Sequence, residues 1–290
     1  MEEYTMIRII AVTIFALAGI VRNSVVAQPL WVDVRGRKTI SVEVLKIAHL
    51  FSGIERTFGT GALFVSGRFP VSDRIVLVGD LSVAHAGFSD GYAESQTIVG
   101  NPYLGLEFGN LSSTLYLEFG IRPRVASDNK GEASSIGKDA DVDRAEAFNT
   151  INGGHWTFLA RLNLKRKISS NFGIRLRAGP TLFVFKERTA GIPSGDPEVL
   201  VDYSAQLCYE GKLIGFIFGF TGRMWLTASV REASSGLGER TLHQIGLTTS
   251  IKWGMARPGI HLRYLHDNLN LFNLYGEQIV YGLNLAFNFK

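Results

Sequence analysis

Cysteine is nearly absent from the 290-residue chain, and the single Cys208 excludes an internal disulfide and any zinc or iron-sulfur site built from several cysteines. Charge is sparse at 19% of residues, with 30 Lys plus Arg against 26 Asp plus Glu, so a net charge of +4 gives no reason to expect a nucleic-acid partner. No GxxxxGK or GxGxxG run opens a nucleotide site, and no residue pattern requires a cofactor. Of the six histidines only His261 and His266 are close in sequence, and a spacing of five puts them on opposite faces of a strand, which argues against a metal site. No His-x-Ser or Ser-x-His pair exists to place a nucleophile beside its base, so the sequence reads as that of a non-enzyme. Long apolar runs are missing as well. The only one, Ile9 to Val21, has 13 residues, fewer than the roughly 20 that a spanning helix needs.

That run follows Arg8 and precedes Val25-Val26-Ala27, which offers the small residue expected before a cleavage point. Residues 1–27 therefore read as a bacterial-type secretory signal, residues 28–37 as a short periplasmic segment and 38–290 as the folded part. The alternative is an anchor or a buried helix.

What the chain has instead is alternation. With 46% hydrophobic residues and 32 glycines, segment after segment places apolar and polar residues at every second position, the pattern of strands with two unlike faces. Twelve strands are expected, over 38–50, 58–68, 74–86, 99–109, 112–124, 155–167, 172–186, 199–210, 212–230, 240–253, 257–266 and 277–289. Their connections alternate between tight turns and longer loops, as in a transmembrane barrel. The predicted fold is all-β, an antiparallel up-and-down barrel of about twelve strands in an outer membrane. Lipid would take faces such as Leu115, Leu117, Phe119 and Ile121; the interior would take Tyr116, Glu118, Gly120 and Arg122. Only Asp139 to Phe148 could form a short surface helix, within a loop from Ala126 to Gly154. That loop has three readings: a constriction folded into the lumen, a site for divalent cations and lipopolysaccharide, or, as the default, a solvated surface loop.

The last strand, Gln278 to Lys290, sets Tyr281, Leu283, Leu285, Phe287 and Phe289 on one face. Here the chain resembles bacterial outer-membrane β-barrel proteins, whose final strand ends in alternating apolar residues and an aromatic; Lys290 follows Phe289 where the family usually stops. The resemblance implies that Tyr281, Phe287 and Phe289 are read by the barrel-assembly machinery, and that outer-membrane lipid and lipopolysaccharide surround the barrel. Phe69 to Gly79 and Gly100 to Glu107 are similar to segments of transporter barrels associated with phenol degradation, which implies an aromatic or hydrophobic solute. The run Arg263 to Asn268 resembles the His-x-Ser-Asn stretch of outer-membrane lipid A deacylases in its His266 and Asn268 but lacks the serine.

The inward positions carry charges that are partly sorted. Glu43, Asp80, Glu107 and Glu118 fall on early strands, and Arg161, Arg175, Arg177, Arg223 and Arg263 on later ones; Arg122 and Asp202 break the pattern. An acidic wall facing a basic one would set a transverse field across a water-filled lumen, and these nine residues are the candidate lining of a narrow channel for an unidentified small solute. Alternatively they are internal salt bridges that fill the barrel. Inward glycines at 105, 120, 215, 219, 246 and 282 would leave room in the lumen or mark bends.

Overall fold

The computed structural model describes residues 38–49, 56–89, 94–109, 114–127, 130–148, 155–185, 197–227, 241–267 and 278–289. The expected signal and periplasmic segments, and Lys290, lie outside them. The strands are β1 (Lys38–His49), β2 (Gly61–Pro70), β3 (Ile75–Ala86), β4 (Gln96–Val99), β5 (Tyr103–Phe108), β6 (Leu115–Arg122), β7 (His155–Lys167), β8 (Phe172–Phe185), β9 (Glu198–Glu210), β10 (Ile214–Trp225), β11 (Thr241–Ile251), β12 (Ala256–Asp267) and β13 (Gln278–Phe289).

Every strand pairs antiparallel with its neighbours. β1 joins β13 from Lys38↔Phe289 to His49↔Gln278, which closes the sheet into a barrel. Closure leaves no open edge, the condition for placing a sheet in lipid. β4 and β5 both pair with β3 and together make one stave, so the barrel has twelve. Between the pairs Asp80↔Tyr103 and Val83↔Val99, β3 has two residues and the facing chain has three, a one-residue bulge over Gly100, Asn101 and Pro102. Pro102 cannot donate to the ladder. The expected strand at 99–109 therefore starts too late, because the alternation resumes on the far side of the bulge.

At one end the tight connections are shaped by local hydrogen bonds. Ser72 Oγ accepts from the backbone N–H groups of Arg74 and Ile75 at 3.2 and 3.1 Å, and Ser169 Oγ repeats this with Asn171 and Phe172 at 3.4 and 3.1 Å. Outward residues such as Leu117, Phe119 and Phe218 are about half exposed, whereas the inward residues between them are buried. β2 is the exception: Leu63, Val65 and Phe69, at outward register, are buried too.

The largest departure from expectation is inside. Helix α1 (Gly131–Ala140) and a following 3-10 helix (Val142–Phe148) fold into the barrel, and all seven residues of the second are buried. The default of a solvated loop is thus overturned for residues 130–148, as is the surface helix at Asp139–Phe148. Gly131-Glu-Ala-Ser-Ser-Ile-Gly is a poor helix former on propensity, so tertiary packing decides its state. Ala133, Ile136, Ala140, Ala147 and Phe148 pack on Leu45, Phe64, Ala84, Ile98 and Val280 of the wall. Gly137 is required there: a Cβ would enter the Phe148 ring.

Candidate functional site

The inward face of a strand is set by parity, and all nine charged residues placed there by alternation are buried. Parity fixes the face but not the partner, and the in-folded segment supplies a partner to five of the nine, Glu43, Arg161, Arg177, Arg223 and Arg263.

Two arginine-carboxylate squares hold the segment. In the first, Arg144 Nη2 reaches Glu43 Oε2 and Asp141 Oδ2, both at 2.6 Å, while Arg263 reaches Glu43 Oε1 and Asp141 Oδ2, both at 3.0 Å. The Arg144 guanidinium also lies 3.9 Å from the Phe64 ring centroid, and Arg144 Nη1 donates to Ser66 Oγ at 3.1 Å. Arg144 sits on the 3-10 helix, outside the spanning strands. Burial works against its charge, and the carboxylates of Asp141 and Glu43 more than offset that, holding the guanidinium above the ordinary arginine range. His261 adds a fifth member, its Nε2 3.2 Å from Glu43 Oε1 and its Nδ1 2.7 Å from Thr248 Oγ1.

In the second square, Arg223 reaches Glu146 and Asp202, both at 2.8 Å, and Arg161 reaches the same two carboxylates at 3.4 and 3.1 Å. Thr181 Oγ1 donates to Asp202 at 2.6 Å. Beside it Arg177 pairs with Asp143. The segment thus crosses the barrel, packed mainly through apolar residues on β1–β4 and β13 and ion-paired to β7, β8, β10 and β12, with Arg144 also reaching Glu43 of β1.

The two residues that broke the expected sorting are explained by pairing. Arg122 stands among acidic neighbours because it forks onto both oxygens of Asp80 at 2.8 Å and donates to the Asn101 carbonyl at 2.9 Å. Asp202 stands among arginines as their shared counterion. Nearer the turn end, Glu107 and Glu118 are directly opposite in register, a repulsive placement unless each is satisfied separately. Arg68 takes Glu107 at 2.6 Å; Tyr103 Oη and Asn163 Nδ2 donate to Glu118 at 2.6 and 3.0 Å, with Arg161 at 3.9 Å. Arg175 is buried on β8 in register with Gln206.

Several inward glycines serve neighbours rather than open space. Added Cβ atoms at Gly105 and Gly120 would strike the Tyr103 ring, and one at Gly282 would meet the Val44 carbonyl and Leu45. Sequence reasoning missed Arg68, Tyr103 and His261, all on inward parity; it placed Asp141, Asp143, Arg144 and Glu146 in a loop without seeing that they were partners. Cys208 is buried against Ile217. Among the described residues no group of three or more His, Cys, Asp or Glu side chains could hold a metal ion. No helix there is long and apolar enough to cross a membrane.

Tyr281 is 46% exposed on the outer face, and Phe287 and Phe289 stack on the same face with centroids 6.5 Å apart. The deacylase-like run ends β12 at Asp267; the side chains of His266 and Asp267, and Asn268, lie outside the described residues.

No family model matches the chain, and no curated protein matches it in sequence. Among solved structures it is similar to an outer membrane channel from Pseudomonas putida F1, with TM-score 0.54 at 12% identity over 91% of this chain and 100% of the channel. LpxR from Salmonella typhimurium gives TM-score 0.50 at 9% identity over 87% of this chain and 100% of its own. The translocator domain of the autotransporter NalP from Neisseria meningitidis gives 0.50 at 10% identity, over 99% and 96%. The shared feature of a channel, an LpxR barrel and a translocator is architecture. By fold, this chain is a closed twelve-stranded antiparallel β-barrel, the architecture of those outer-membrane proteins.

Proposed function

We propose that the protein is a narrow outer-membrane channel for small solutes, and that residues 130–148 form its constriction. The carrying observation is the manner in which the lumen is filled. Eight-stranded barrels are filled by their own wall side chains and sixteen-stranded porins hold an aqueous channel; twelve staves lie between the two. Here a separate segment fills the lumen, and its far side is held by ion pairs, which can exchange with water and ions more readily than an apolar contact. The channel among the structural neighbours fits this reading. So do Glu43, Asp80, Glu107, Glu118, Arg161, Arg175, Arg177, Arg223 and Arg263, which become the lining once the segment shifts. Lipid, lipopolysaccharide and the barrel-assembly machinery are its expected partners.

A second reading, a structural barrel whose interior stays plugged, is favoured by the burial of those same nine residues. A hydrolase is disfavoured by the serine missing from Arg263 to Asn268. Liposome swelling separates the readings. Vesicles holding the purified protein should admit small neutral sugars at rates that fall steeply with solute size. Swelling no faster than in protein-free vesicles would establish the plugged barrel, and release of fatty acid from the lipid would establish the hydrolase.

A further inference from the structure

We propose that the β7–β10 wall is a binding site for small dicarboxylates, occupied in this structure by two carboxylates of the protein's own segment. This rests on the channel reading and names its solute class.

Among the buried inward side chains of β7–β10 are four guanidinium groups, Arg161, Arg175, Arg177 and Arg223, and one carboxylate, Asp202. These buried groups alone carry an excess of three positive charges, and Glu118 of β6 lies 3.9 Å from Arg161. Asp143 and Glu146 reduce that excess to one by placing a carboxylate on Arg177 and another between Arg161 and Arg223. They are three residues apart, on either side of a kink at Arg144, and both carboxylates reach arginines of this one wall. A short chain with a carboxylate at each end would present the same two groups to the same arginines. Guanidinium forks favour planar carboxylates in this role.

A second observation comes from the polar groups beside the arginines. Among the described residues, Gln206, 3% exposed, has no hydrogen-bond partner at either Oε1 or Nε2; Ser204 Oγ, on a residue 6% exposed, and both amide atoms of fully buried Gln244 are also without one. Gln206 faces Arg175 in register, and Ser204 faces Arg177. Buried amides without partners are rare because the lost hydration is costly. A solute carrying oxygens in place of Asp143 and Glu146 would give Gln206 and Ser204 acceptors for their N–H and O–H groups. This chemistry points to an anion, where the sequence resemblance implied an aromatic or hydrophobic solute.

The test uses the full-length protein with adipate, its neutral isostere adipamide, and inorganic phosphate. Calorimetry in detergent should show adipate binding that tightens in Asp143→Asn, because one tethered competitor is gone, and weakens about ten- to hundredfold in Gln206→Leu, the factor expected for one lost hydrogen bond to a charged group. Heat-modifiable migration on gels checks that both variants are folded. Vesicle flux should favour adipate over adipamide, with the preference reduced in Gln206→Leu. Adipate binding without flux of any solute would leave the site standing and remove the channel. Flux with no preference and no binding would remove the site and leave the channel. Equal affinity for phosphate and adipate, or no tightening in Asp143→Asn, would overturn the assignment to a dicarboxylate.

Discussion

Arg144 lies between Glu43 and Asp141 with 5% of its side chain exposed, while the two carboxylates are 0% and 1% exposed. Removing one member of a buried set leaves the others charged and unpaired. Arg144→Ala is therefore expected to cost about 3–5 kcal/mol, far above the ~0–1 kcal/mol of a surface pair. Urea unfolding of the vesicle-inserted protein, followed by tryptophan fluorescence, would measure it. A loss under about 0.5 kcal/mol would mean that water, not protein, surrounds the square. The same side chain shows what was legible at this scale. Alternation placed Glu43, Arg223 and Arg263 on the inner face because side-chain direction depends only on parity. It could not pair Glu43 with Arg144, which is 101 residues away in a segment with no alternation.

At the scale of elements, the strands were readable and the interior was not. β6 to β13 fall within a few residues of their expected ranges, because each has one face for the apolar exterior and one for the lumen. β4 was missed where the bulge at Asn101 shifts the alternation. Once formed, that bulge has a use: Asn101 N donates to the Ala147 carbonyl at 2.6 Å and Asn101 Oδ1 accepts from Val125 and Ala126, so it is a docking point for the in-folded segment. α1 was unreadable because its helicity comes from burying Ala133, Ile136 and Ala140, not from propensity. The last strand carries its own prediction. Phe289 ends β13 opposite Lys38 at the closing seam, with Phe287 beside it on the outer face. Deleting Phe289 and Lys290 should abolish heat-modifiable barrel in membranes, and deleting Lys290 alone should not. Equal effects of the two deletions would show that the aromatic terminus has no part in assembly.

For the whole molecule, the exposed exterior is the feature that must be matched by its surroundings. Phe218 is 52% exposed on the outer face of β10, midway between its ends. In a bilayer, Phe218→Arg should cost about 2–4 kcal/mol, whereas on a barrel in water a surface change of this kind stays within roughly 0.5 kcal/mol. Unfolding measured in vesicles would distinguish the two. Whether residues 130–148 constrict a conducting lumen is decided by single-channel recording in planar bilayers. Wild-type protein is compared with a variant in which residues 131–148 are replaced by a short Gly-Ser linker. Small conductance steps are expected for the wild type and steps several-fold larger for the variant, with selectivity moving toward anions as Arg161, Arg177 and Arg223 lose Asp143 and Glu146. Identical conductance in the two proteins, or none in either, would contradict the constriction.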